Sequence, residues 1–77
     1  MELLQHFGQA IRKHRERLGV SQEELAHRAE LDRTYVSGIE RGRRNPSLKS
    51  IARLTAALEI DFVKLFSTMQ EIAVRDG

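Results

Sequence analysis

Two neighbouring stretches decide the fold of this chain. They are Ser21-Gln22-Glu23-Glu24-Leu25-Ala26 and, after a short interval, Leu31-Asp32-Arg33-Thr34-Tyr35-Val36-Ser37-Gly38-Ile39-Glu40-Arg41-Gly42. Ser21 has the character of a helix N-cap. Its hydroxyl can accept the Glu24 amide while the Glu24 carboxylate reaches back, forming a capping box. Leu25, Ala26 and Ala29 then supply one inner face. Asp32 caps a further helix, expected over about residues 33–41, with Val36 and Ile39 turned inward and Gly42 as its stop. The outer face of that helix carries Arg33, Thr34, Tyr35 and Ser37. A short helix with a polar, cationic, hydrogen-bonding front matches the DNA major groove, which is wide enough for a helix and displays base edges to it.

Outward from this pair, the pattern stays helical. Phe7, Ile11, Leu18 and the stem of Arg15 recur at helical spacing, predicting a first helix over about residues 3–18 with Gly19 as a left-handed cap. Asn45-Pro46-Ser47 forms a turn, and Ser47 caps a fourth helix in which Leu48, Ile51, Leu54 and Leu58 fall three and four apart. Asp61 caps a fifth, with Phe62, Leu65, Phe66, Met69 and Ile72 on one stripe. There is no strand alternation, internal repeat or low-complexity segment. The expected fold is all-α: a compact five-helix bundle forming one domain over residues 1–77.

Composition narrows the function classes. A chain of 77 residues has room for one small core, and 40% hydrophobic with 31% charged residues describes a globular rather than a disordered domain. With no cysteine there is no disulfide framework, thiolate zinc site or thiol nucleophile, which suits a reducing cytosol. No apolar run approaches the roughly 20 residues of a membrane span, and the N-terminus lacks the basic-then-apolar order of a signal peptide. A cytoplasmic location without membrane contact is expected. His6, His14 and His27 are scattered without metal spacing and are expected on the surface. No enzyme activity, metal, cofactor or small-molecule ligand is anticipated.

Charge is unevenly placed. The formal net charge is +2, yet in residues 45–77 Lys49, Arg53, Lys64 and Arg75 balance Glu59, Asp61, Glu71 and Asp76. The whole excess therefore lies in residues 1–44. Arg41, Arg43 and Arg44 directly follow the polar helix, where a basic patch meets phosphates. In its first turn, Arg33 can read guanine through two hydrogen bonds and Thr34 can set its methyl against thymine. Tyr35 either offers its hydroxyl to a phosphate or packs half-buried. Ser37 and Gly38 keep the outer surface small, and Gly38 permits close approach of DNA or of a neighbouring helix. Gln22 opens the preceding helix and can point past its end toward a phosphate, or be an ordinary solvated glutamine. Glu40 is out of place on a DNA-facing helix. It is expected to turn inward to Arg15, which lies four residues from Ile11 and eight from Phe7 on the interior face. A bidentate pair there would fix how the helices dock.

Residues 61–77 are expected to form a dimerisation helix. Phe62 and Leu65 finish the monomer's own core, while Phe66, Met69 and Ile72 are left to bury against a second copy. Internal packing of all five is the other possibility. Two-fold symmetry would let the pair read two half-sites about one DNA turn apart.

The run from Phe7 to Ile60 resembles the phage-repressor or Xre-type helix-turn-helix domain. The resemblance is carried by Ile11-Arg12, Arg15 and Leu18-Gly19, then Ser21 to Ala26, Val36 to Gly42, and Pro46-Ser47-Leu48. More narrowly, Leu31 to Arg41 followed by Arg44-Asn45 resembles the controller proteins of restriction-modification systems, as do the small size and the lack of an added effector domain. That resemblance implies a homodimeric regulator that binds a palindromic double-stranded DNA operator and times endonuclease expression. It implies recognition by Arg33, Thr34 and Tyr35 and by the loop residues Arg43, Arg44 and Asn45, with RNA polymerase as a further partner. The alternative function is an antitoxin or other protein-interaction module that shares the domain.

Overall fold

The last four helices begin at side-chain caps in the computed structural model, which describes residues 2–76. The elements are α1 (Glu2–Leu18), α2 (Gln22–Ala29), α3 (Arg33–Glu40), α4 (Leu48–Leu58) and α5 (Phe62–Asp76). Among the described residues there is no strand. Ser21 Oγ accepts the Glu24 amide at 3.0 Å, Asp32 Oδ1 the Thr34 amide at 2.8 Å, Ser47 Oγ the Ser50 amide at 3.1 Å and Asp61 Oδ1 the Lys64 amide at 2.7 Å. Gly19 closes α1 at φ 81°, the left-handed region that glycine enters without penalty. Two further left-handed caps fall on Glu30 and Glu59, at φ 57° and 61°, where no glycine announced them.

The capping box at α2 is one-sided. The Glu24 carboxylate takes Arg28 Nε at 2.7 Å instead of reaching back to Ser21, and Arg28 holds its pKa below the ordinary carboxylate value. At α3 the helix ends at Glu40, and Arg41 stands just outside it as the C-cap.

The core is built from Phe7, Ala10 and Ile11 of α1, Leu25, Ala26 and Ala29 of α2, Val36 and Ile39 of α3, Leu54 and Leu58 of α4, and Leu65 of α5. Helix α1 is the shared wall, packing against α3, α4 and α5, while α2 packs on α3 and α4. Gly8 makes the α1–α3 approach possible. A Cβ there would collide with the Ile39 carbonyl oxygen and lie 2.7 Å from that of Glu40.

Leu48, Phe62 and His14 sit differently from their expected places. Leu48 and Phe62, assigned to the interior by spacing, are 74% and 41% exposed. Each is the first residue of its helix, so its side chain leans back past the helix end, where no neighbour covers it. His14, expected on the surface, is buried. It follows Phe7 and Ile11 at helical spacing, on the face that α5 covers. His14 Nε2 lies 2.8 Å from Thr68 Oγ1, whose own proton goes to the Lys64 carbonyl at 3.0 Å. The imidazole is therefore the donor, and Nε2 carries the hydrogen. Burial lowers its pKa below 6.5, and the cations Arg17, Lys64 and Lys13 lower it further. His6 is also partly covered and lies 3.2 Å from Asp76, tying the two ends of the α1–α5 pair, while His27 is exposed as expected.

Among the described residues, no cluster of potential ligands could hold a metal ion, and no helix is long and apolar enough to cross a membrane.

Candidate nucleic-acid interface

Helix α3 buries Val36, Gly38 and Ile39 and turns Arg33 and Thr34 outward. Its caps explain the presentation. Asp32 holds the first turn at the surface, so residues 33 and 34 project beyond the bundle. Tyr35 and Ser37 are half-buried at the edge of the same face. The residues that follow, Arg41, Arg43, Arg44 and Asn45, are all exposed. Among the described residues, none of Arg33, Arg41, Arg43 and Arg44 forms an ion pair, so four guanidinium groups remain free for an anionic partner.

Behind this face lies a polar bridge. Glu40 turns inward, its side chain 3% exposed, and receives Arg15 Nε on Oε2 at 2.7 Å and Arg15 Nη2 on Oε1 at 3.1 Å. Arg15 Nη1 also donates to the Val20 carbonyl at 3.0 Å. The hydrogen bond to Glu40 holds the Arg15 pKa above its ordinary value. Gln22 joins the same carboxylate, its Nε2 donating to Oε1 at 3.0 Å. The side chain expected to reach past the start of α2 is thus folded back onto α3. The bridge links α1, the α1–α2 turn, α2 and α3, and it removes the Glu40 charge from the outer surface.

The loop after α3 is folded onto the helix. Gly42, at φ 73°, reverses the chain, and the Arg43 and Arg44 amides both donate to the Gly38 carbonyl, at 2.8 and 3.3 Å. Arg44 then lies over the Tyr35 ring, its guanidinium carbon 4.9 Å from the ring centroid, within cation–π range. The Tyr35 hydroxyl donates to Ser50 Oγ at 3.3 Å, and Ser47 Oγ donates to the same oxygen at 3.0 Å. Of the two roles open for Tyr35, the ring is half-buried packing and its hydroxyl is engaged within the protein. Ser50 and the Tyr35–Arg44 stack had no signal in the sequence, because the partners lie far apart across a turn and a loop.

Exposed apolar side chains on α5 cluster in its first turns, with Val74 standing alone and 78% exposed near its end. Phe62 and Phe66 are 41% and 40% exposed and Val63 is 78% exposed, whereas Met69 and Ile72 are half-buried against the monomer's own core. The later turns of α5 are covered by α1. The Phe66 ring centroid stands 6.2 Å from that of Phe7, and both border a shallow groove with Leu3, Leu4, Ile51 and Met69.

Known proteins share this arrangement. The family model described as "Helix-turn-helix" matches residues 11–65. The chain is 42% identical over 66 residues to the control protein C.MunI of a Mycoplasma species, covering 84% of this chain and 89% of that one. The restriction-modification controller protein C.AhdI of Aeromonas hydrophila superposes with a TM-score of 0.80 at 51% identity, covering 82% of this chain and 96% of that one. The controller C.Esp1396I, solved as a tetramer on its natural 35 base-pair operator, superposes with a TM-score of 0.87 at 39% identity, covering 94% of this chain and 95% of that one. Solved variants of that controller replace an arginine, a threonine and a tyrosine at consecutive positions, the same residue types in the same order as Arg33-Thr34-Tyr35. The chain belongs to the helix-turn-helix family of DNA-binding transcription regulators that includes the restriction-modification controller proteins.

Proposed function

We propose that this protein binds a palindromic operator as a homodimer and controls the expression of a restriction-modification system. The observation that carries this reading is the α3 surface. Arg33 and Thr34 stand free on the first turn, flanked by the unpaired Arg41, Arg43 and Arg44, while the one carboxylate of the helix is turned inside. Arg33, Thr34 and Ser37 face base edges, and Tyr35, its hydroxyl held by Ser50, meets them only with the open part of its ring. Arg41, Arg43, Arg44 and Asn45 face the phosphate backbone, and Gln22 lies at the α2 end of the same surface. The second copy covers Phe66, with Phe62 and Val63 beside it and Met69 and Ile72 at the margin. Work at a promoter places the protein in the cytoplasm and makes RNA polymerase a further partner. The role needs no catalysis.

Selection of bound duplexes from random DNA tests the reading. The expected result is a palindromic consensus with half-sites about one turn apart. Arg33→Ala is expected to relax one base position per half-site by about 1–3 kcal/mol of discrimination. Recovery of no consensus, or unchanged preference in the Arg33 variant, contradicts it. Occurrence of the consensus ahead of an endonuclease gene distinguishes a restriction-modification controller from other regulators.

A further inference from the structure

We propose that Gly38 is a positioning residue for DNA binding. It leaves the space in which the Arg44 side chain lies against α3 and stacks on Tyr35. A methyl group at position 38 displaces Arg44 and weakens DNA binding while the helix stays intact. The proposal rests on the reading of Arg44 as a DNA contact.

Glycine within a helix is unfavourable, because the chain loses more freedom there than any other residue would lose. Gly38 does not need glycine for its backbone: the residue is helical and does not have a positive φ. Nor does it serve a close helix crossing, as Gly8 does. A Cβ at position 38 would lie 2.5 Å from Arg44 Cγ, 3.5 Å from Cδ and 3.6 Å from Cβ. The three nearest atoms all belong to one side chain. The colliding atom is the second carbon of that side chain, not its flexible end. Clearing it requires rotation near the base of Arg44, which swings the guanidinium away from Tyr35.

Three contacts hold Arg44 in the stacked position. The Gly38 carbonyl receives the Arg44 amide, the Tyr35 ring supports the guanidinium face, and Ser50 holds the Tyr35 hydroxyl. A guanidinium stacked by its face keeps its in-plane N–H groups free for bidentate contact with a phosphate or a base edge. Arg44 is exposed and unpaired, so those donors point to no carboxylate among the described residues. Preorganisation of this kind saves the ordering of a long side chain on binding.

The test compares wild type, Gly38→Ala, Arg44→Ala and the double variant. Binding is measured on a duplex carrying the consensus selected from random DNA. Gly38→Ala is expected to bind about threefold to tenfold more weakly. Arg44→Ala should lose at least as much, and the double variant no more than Arg44→Ala. In the Arg44→Ala background the alanine is expected to raise the melting temperature, since it meets no obstacle and favours the helix. Without DNA, the Arg44 side-chain protons should be shifted upfield by the Tyr35 ring in wild type and not in Gly38→Ala. If Gly38→Ala binds like wild type while Arg44→Ala is weakened, the positioning role is wrong and the Arg44 contact stands. If Arg44→Ala binds like wild type, both fall. Further loss in the double variant means the methyl acts on DNA directly, and lost helicity there means it has another obstacle; either overturns the proposal. A wild-type spectrum without the upfield shift does the same.

Discussion

Replacing Arg15 by methionine is expected to remove a large part of this domain's stability. The side chains of Glu40 and Arg15 are 3% and 13% exposed. Without the guanidinium, the carboxylate keeps one neutral donor, Gln22 Nε2 at 3.0 Å. Removing one partner of a buried pair costs about 3–5 kcal/mol. A domain of 77 residues has about 4–12 kcal/mol in total at the usual stability per residue. At roughly 4–8 °C per kcal/mol, the melting temperature should fall by at least about 12 °C. Glu40→Gln should be milder, about 1–3 kcal/mol. Arg15 retains the Val20 carbonyl and more solvent, and a glutamine oxygen can still accept. Replacing both members, as Arg15→Met with Glu40→Leu, should cost less than the sum of the singles, because neither leaves a charge stranded. Thermal and guanidinium denaturation, followed by circular dichroism, measure all of these. Strictly additive losses, or an Arg15→Met variant within about 1 kcal/mol of wild type, would refute the coupling.

Other substitutions probe separate features. His14 has a folded pKa below 6.5, so the unfolded chain binds the proton first as pH falls. Stability should be level above that value and decline as pH drops through it toward the lowered folded pKa. His14→Gln should lose this slope, and an unchanged slope by denaturation across pH 5 to 7 would remove His14 as its source. Gly8→Ala should destabilise by about 1–3 kcal/mol, since its methyl meets the rigid backbone of α3 and not a movable side chain. A melting temperature at or above wild type would show that α1 can shift without penalty. Phe66→Asp should convert a dimer to a monomer in sedimentation while helicity persists, and weaken operator binding as two linked half-sites become independent. A wild type that sediments as a monomer at every accessible concentration would rule out that interface.

The sequence by itself determined the five helices and which residues of α3 face outward. Caps such as Ser21, Asp32 and Ser47 act on amides two or three residues away, so local order is enough to read them. Spacing likewise placed Val36 and Ile39 inward and Arg33 and Thr34 outward. Glu40 was legible as an inward residue because its charge contradicts its surroundings, and Arg15 was legible because it shares the interior face with Ile11. Other placements depended on what lies opposite, which periodicity does not state. Leu48 and Phe62 share their stripes' spacing but stand at helix starts with nothing over them. Met69 and Ile72 share it too but pack against the core, so the open apolar cluster sits on the first turns of α5 at Phe62, Val63 and Phe66, with Val74 exposed alone near its end. His14 sat at core spacing all along; only the presence of Thr68 across the α1–α5 contact supplies the partner that lets an imidazole stay buried there. The fold-back of Gln22 onto Glu40 and the stack of Arg44 on Tyr35 belong to tertiary structure alone. Both depend on the path the backbone takes through a turn, and that path is set by the packing of the whole bundle, not by any local repeat.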